Sequence, residues 1–184
     1  MTGRWLRVAL TAVLLLLGLR AFRDELGYIP LVGDINLAIH ETGHYLFMPF
    51  GELMTFAGGS VVQVLLPVVF VGYFLFGKEE HRDRHAAAVC LWWTSINVLS
   101  VSIYAADARA GDLVLLSGAT GQDDPGGHDF YMIFAHLGVL NSDTVYAGRL
   151  RSLARLLFAV SIGAAVLSAW RSWRPVTPDS SSSP

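Results

Sequence analysis

The chain has 184 residues, of which 53% are hydrophobic and 15% charged, and its formal net charge is -2. Soluble domains carry about 25% charged residues, so this composition excludes an ordinary soluble domain and favours a protein of the lipid bilayer. There is no basic tract to bind nucleic acid, and the single cysteine, Cys90, excludes an intramolecular disulfide framework. We therefore expect one integral membrane domain over residues 1–174, with the bilayer as its surroundings.

Hydropathy predicts an all-α polytopic membrane protein with about five transmembrane helices. The N-terminal apolar run, Val8–Leu19, resembles the apolar region of a signal peptide, but no small-x-small cleavage motif follows it. We expect it to be kept as the first helix. Pro49 and Gly51 end the second helix, because neither residue propagates a helix. The five predicted helices cover residues 5–22, 29–47, 60–76, 85–106 and 150–170.

Polar segments separate these predicted helices. A short connector, 52–57, precedes the third helix, and a charged loop occupies 77–84. Residues 107–127 are rich in Gly and Asp and too polar to cross a membrane, and a short helix over 128–140 is expected at the membrane surface. The Pro/Ser-rich tail, 175–184, is expected to be disordered. The expected location is the cell (inner) membrane; the positive-inside rule leaves the orientation open, because the basic residues divide almost evenly between the two sides.

The second predicted helix contains the motif His40-Glu41-Thr42-Gly43-His44. Residues four apart lie on one face of a helix, so the two imidazoles can bind a single Zn²⁺ ion. Glu41 projects beside them, placed to take a proton from a zinc-bound water, and Gly43 lets a neighbouring backbone approach. Such polar groups are costly inside an apolar helix unless they have a function. The alternative is a hydrogen-bonded cluster that holds helices together.

A catalytic zinc site has three protein ligands, and two candidates exist for the third. Asp107 is the first, because a carboxylate at the end of the fourth helix could reach a zinc ion held by the second. Its alternative role is an ion pair with Arg109. The second candidate is the pair His128 and Asp129, which follows Gly126-Gly127 and offers a nitrogen and an oxygen. Asp129 could instead cap the short helix.

Two amides lie on the helices that follow the motif. Gln63 and Asn97 could hydrogen-bond each other, a zinc ligand or the substrate backbone, and we interpret them as support for substrate and oxyanion. Hydrogen bonding between helices is the more common role of such residues in membranes.

These residues resemble the site-2-protease-type intramembrane zinc metalloproteases. That family combines a His-Glu-x-x-His helix with a later helix carrying Asn-x-x-Pro-x-x-x-Leu-Asp-Gly, whose aspartate is the third zinc ligand, and a membrane-associated hairpin lies between them. The first motif matches at His40, Glu41 and His44. In the second, Asn97 matches, serine replaces the proline, and Asp107 comes two residues later than the pattern requires. The resemblance covers roughly residues 30–110 and suggests a divergent, minimal member.

The resemblance implies a three-helix core of the site-2-protease type, with 51–59 in place of the hairpin. It also implies Zn²⁺ as cofactor and an intramembrane metalloendopeptidase that hydrolyses peptide bonds of membrane-embedded or membrane-proximal proteins. His40, His44 and Asp107 would hold the metal, and Glu41 would activate water. Two other hypotheses are a non-proteolytic membrane protein with a metal-binding or assembly role, and a metal transporter.

Overall fold

A computed structural model describes residues 2–173, which are 78% helical and contain no β-strand. Short 3₁₀ turns and loops join the α-helices. The predicted tail, 175–184, lies outside the described residues. The α-helices are α1 (Thr2–Arg23), α2 (Val32–Phe47), α3 (Glu52–Phe76), α4 (Arg84–Ala106), α5 (Asp129–His136) and α6 (Asp143–Arg171).

Four helical segments in the described part of the chain are long and apolar enough to cross a membrane. The prediction of about five differs at α2, which has 16 residues. Sixteen residues rise about 24 Å along a helix axis, less than the roughly 30 Å of a bilayer's hydrocarbon core. The four candidate spans are Gly3–Arg23, Glu52–Phe76, Arg84–Ala106 and Leu140–Arg171.

The largest differences from the predicted boundaries are at α3, α5 and α6. α3 begins at Glu52, so the predicted connector 52–57 is helical and 51–59 forms no hairpin. Gly51, with φ of 97°, makes the turn that separates α2 from α3. α6 begins at Asp143 rather than at residue 150, and α5 ends at His136 because Gly138 has a positive φ of 69°.

Helix α4 is the central helix and packs against α6 along small residues. Ala154 and Ser161 of α6 are completely buried, and so is Ser95 of α4. Small side chains let two helices approach closely, which is also how helices that lie in lipid associate. His85 Nδ1 lies 2.8 Å from Ser168 Oγ, so the start of α4 meets the end of α6 and the two helices are antiparallel.

Helices α2 and α3 are in backbone contact through glycines. A Cβ atom placed on Gly43 would lie 2.3 Å from the carbonyl oxygen of Gly58, and one placed on Gly59 would lie 2.6 Å from Nε2 of His40. Larger residues would therefore force the two helices apart. The sequence predicted that Gly43 lets a neighbouring backbone approach, and the structure confirms it: these glycines form the contact that brings α3 against the His40 side of α2.

Asp107 organises the loop that leads from α4 to α5. Its carboxylate accepts hydrogen bonds from the backbone N–H groups of Asp112 (2.9 Å) and Leu113 (3.1 Å). It also lies 3.2 Å from Nε2 of His128, the residue that caps α5. The loop therefore brings the chain back beside α2, where α5 begins with Asp129.

Candidate metal centre

Three side chains from two distant segments meet at one point. His40 Nε2 lies 2.8 Å from Asp129 Oδ2, and His44 Nε2 lies 3.3 Å from the same oxygen. The ligand atoms of the three residues all lie within 4.8 Å of one another, an arrangement that could hold a metal ion. His40 and Asp129 are buried, and His44 is partly buried. We call this group the His-His-Asp triad.

The other nitrogen of each imidazole faces a carbonyl oxygen. His40 Nδ1 lies 3.0 Å from Oε1 of Gln63, and His44 Nδ1 lies 2.8 Å from the backbone oxygen of Thr55. A carbonyl oxygen only accepts hydrogen bonds, so both Nδ1 atoms carry hydrogen. In the neutral rings each Nε2 then presents a lone pair. Metal-binding histidines are usually fixed in this way, by a hydrogen bond from the second nitrogen.

The centre of the triad therefore requires positive charge. Two imidazole lone pairs and a carboxylate oxygen point at one another, and they repel unless protons or a metal cation lie among them. Burial acts to raise the pKa of the Asp129 carboxyl. When protons occupy the centre, both rings are cationic and donate Nε2–H to Asp129, and these hydrogen bonds outweigh burial and hold that pKa below its ordinary value. The carboxyl is thus ionised, which is the form that binds a metal. Two nitrogens and one oxygen fit the ligand preference of Zn²⁺.

The triad opens onto a cavity of about 460 Å³. Glu41 lines this cavity beside His40 and His44, and its side chain is partly buried. None of the residues that the structure describes forms a hydrogen bond with its carboxylate. Glu41 is therefore free to accept a proton from a molecule in the cavity. The loop after α4 forms part of the opposite wall, with Leu113 and Val114 among its lining residues.

Gln63 and Asn97 form a chain of hydrogen bonds behind His40. Gln63 accepts from His40 and donates its amide N–H to Oδ1 of Asn97 at 3.0 Å. Asn97 is completely buried, and its Nδ2 atom has no hydrogen-bond partner among the described residues. The pair orients the His40 ring from α3 and α4. Their predicted role in supporting substrate and oxyanion stays a prediction, although Gln63 also lines the cavity.

The structure brings Asp129, rather than the first candidate Asp107, to the two histidines. Asp107 is occupied by its own loop and by His128, as described above. His128 accepts a hydrogen bond from the N–H of Tyr131 through Nδ1, so its Nε2 carries hydrogen and donates to Asp107. Neither residue belongs to the triad. Arg109, the alternative partner of Asp107, forms an ion pair with Asp143 at 2.8 Å.

Two groups around the triad were not identified from the sequence. The backbone oxygen of Thr55 could not be identified from the sequence, because its position depends on α3 being helical from its start. Tyr104 accepts a hydrogen bond from the backbone N–H of Asp129 at 3.1 Å. It follows Asn97 by seven residues on α4, so the two share a helix face. That spacing could have identified it.

Comparison of the chain with protein-family models, with curated proteins and with solved structures gives no match.

Proposed function

We propose that this chain is an intramembrane zinc metalloendopeptidase, a divergent relative of the site-2-protease type. The observation that carries the proposal is the convergence of His40 Nε2, His44 Nε2 and Asp129 Oδ2. The carboxylate of Glu41, which none of the described residues hydrogen-bonds, lies beside them in one cavity. Four segments that are long and apolar enough to span a membrane support the proposed location of this activity in the bilayer.

In this proposal the triad holds Zn²⁺, which when bound supplies the Lewis-acid chemistry that activates water and polarises a carbonyl. Glu41 acts as the general base: it accepts a proton from the attacking water and returns a proton to the leaving amine. Gln63 fixes the orientation of His40, and the backbone oxygen of Thr55 fixes that of His44.

The proposed substrate is a membrane-embedded or membrane-proximal polypeptide. Its peptide bond must be in an unwound segment, because a helical backbone is shielded by its own hydrogen bonds. The cavity is large enough for several residues of such a segment, and its walls are mainly apolar, with Leu37, Ile96 and Leu116 among the lining residues. Water must enter with the substrate, since hydrolysis consumes it.

The test is hydrolysis by the purified full-length chain in detergent micelles, loaded with zinc. Labelled casein and a synthetic apolar single-span peptide with polar flanks serve as probes, and mass spectrometry locates the cleaved bonds. Glu41→Gln should abolish cleavage while the zinc content stays at the wild-type level. The exposed loop variant Glu80→Gln is the matched control and should cleave normally.

Two results would overturn the proposal. Cleavage that survives Glu41→Gln would exclude Glu41 as the base and indicate a contaminating protease. A zinc-loaded wild-type chain that cleaves neither probe would favour the alternative, a membrane protein with a metal-binding or assembly role.

A further inference from the structure

Tyr104 occupies the wall of the cavity beside the triad, at the end of α4. Its hydroxyl oxygen accepts the backbone N–H of Asp129, and its ring lies 6.2 Å from the ring of His40, centroid to centroid. Two further rings hold it in place: those of His128 at 4.3 Å and Phe130 at 5.6 Å. The position of the hydroxyl group is therefore fixed relative to both Asp129 and His40.

The hydroxyl group has an unused donor. A tyrosine hydroxyl can accept hydrogen bonds and donate one. The N–H of Asp129 uses an acceptor position, whereas no residue in the described part of the chain accepts the hydroxyl hydrogen. Tyrosine hydroxyls that are withdrawn from water normally find such a partner, and Tyr104 is partly buried. Because Tyr104 lines the cavity together with Glu41 and Asp129, a molecule in the cavity can supply the missing acceptor.

We propose that the Tyr104 hydroxyl is a catalytic hydrogen-bond donor to the carbonyl oxygen of the peptide bond under attack. This inference rests on the proposed function and adds a residue to it. As the water oxygen bonds to the carbonyl carbon, the electron pair of the C=O double bond moves onto the carbonyl oxygen. The proton of the water goes to Glu41. Tyr104 keeps its own proton and stabilises the new negative charge by hydrogen bonding alone.

In this assignment, residues on two walls of the cavity have different roles in the reaction. Glu41 on α2 handles the proton of the nucleophile, while Tyr104 on α4 stabilises the oxygen on which charge develops. A donor that is fixed in place before the reaction needs no reorganisation when the charge appears, which is why such donors accelerate acyl transfer. The contacts of Tyr104 with Asp129, His128 and Phe130 supply that rigidity.

The test is Tyr104→Phe in the full-length, zinc-loaded chain, with labelled casein as substrate. The variant removes one oxygen atom and keeps the ring contacts. We expect kcat to fall by about 10²- to 10³-fold, as for other single donors of this kind, while KM and zinc content stay near wild type. Tyr73→Phe, on α3 and outside the cavity lining, is the matched control and should leave kcat unchanged.

A binding measurement provides a readout that does not depend on turnover. An apolar phosphinic tetrapeptide, whose tetrahedral oxygens imitate the attacked carbonyl, is titrated into zinc-loaded Glu41→Gln protein with and without Tyr104→Phe. We expect the phenylalanine to weaken binding at least about 10-fold, because the oxygen loses its donor.

The outcomes separate this inference from the proposed function. If wild type cleaves casein and Tyr104→Phe cleaves it within about threefold of wild type, the inference is overturned and the protease stands. If zinc content falls in parallel with kcat, Tyr104 only positions Asp129 and the inference is overturned. If wild type cleaves nothing, the proposed function fails first and the catalytic role fails with it.

Discussion

His40 and Asp129 are separated by 89 residues in the sequence, yet His40 Nε2 and Asp129 Oδ2 lie 2.8 Å apart. This contact joins a helix that carries both histidines to the first residue of a short helix on the far side of a polar loop. The contact depends on Asp107, which holds the loop and His128, and on the glycines that let α3 approach α2. The predictions below test the glycine contact, the hydrogen bond behind His40, the contact between α4 and α6, and the two aspartates.

Gln63 is predicted to strengthen metal binding by orienting the ring of His40. Gln63→Leu keeps most of the side-chain volume and removes the oxygen that accepts the Nδ1–H of His40. Loss of such an orienting partner typically lowers metal affinity by about 10- to 100-fold, and we expect a loss of that size. Competition with a fluorescent zinc chelator measures it, and Gln122→Leu in the exposed loop is the control. Unchanged zinc affinity in Gln63→Leu would contradict an orienting role.

Gly43→Ala is predicted to separate α2 from α3. The new Cβ would lie 2.3 Å from the carbonyl oxygen of Gly58, a contact that only a backbone shift can relieve. We expect a loss of about 1–3 kcal/mol of stability, together with weaker zinc binding, because both histidines are on α2. Thermal denaturation and zinc content check the two effects. Gly72→Ala on α3, where a Cβ meets open space, should change neither.

Ser161→Leu is predicted to overpack the contact between α4 and α6. Ser161 is completely buried, and a leucine there would need space that the closely packed helices do not leave. We expect destabilisation of about 1–3 kcal/mol or more, measured by unfolding in mixed micelles of increasing SDS content. Val160→Leu changes the neighbouring exposed position and should be almost neutral. Equal stability of the two variants would mean that α4 and α6 do not depend on this contact.

The two histidines and Glu41 could be identified from the sequence because their relation is local. Four residues on a helix set the distance between His40 and His44 whatever the rest of the chain does. The third member of the triad is not local. Asp107 and Asp129 both follow α4 within a polar segment, and the choice between them depends on where that loop turns. The structure brings Asp129 to the site because Asp107 pairs with the loop backbone and with His128.

The start of α3 is a second feature that could not be predicted correctly from the sequence. The sequence predicted a connector over 52–57 and a third helix from about Ser60, and Gly58 and Gly59 have low intrinsic helix propensity. In the structure the same glycines form the surface where α2 and α3 touch, and the helix continues through them from Glu52. Packing between α2 and α3 outweighs the local helix propensity here, and only this tertiary contact explains why the helix continues through the glycines.

The most direct test of the central claim is the zinc content of the purified full-length chain and of two aspartate variants, measured by elemental analysis after dialysis. Asp129→Asn should lose the metal, because a neutral amide replaces the carboxylate that faces both histidines. Asp107→Asn can still accept hydrogen bonds from Leu113 and His128 through its amide oxygen, although it loses the one from Asp112. It should therefore keep Asp129 in place and retain most of its zinc, because Asp107 is not itself a ligand. The reverse result, with zinc retained in Asp129→Asn and lost in Asp107→Asn, would contradict the His-His-Asp triad as the metal centre.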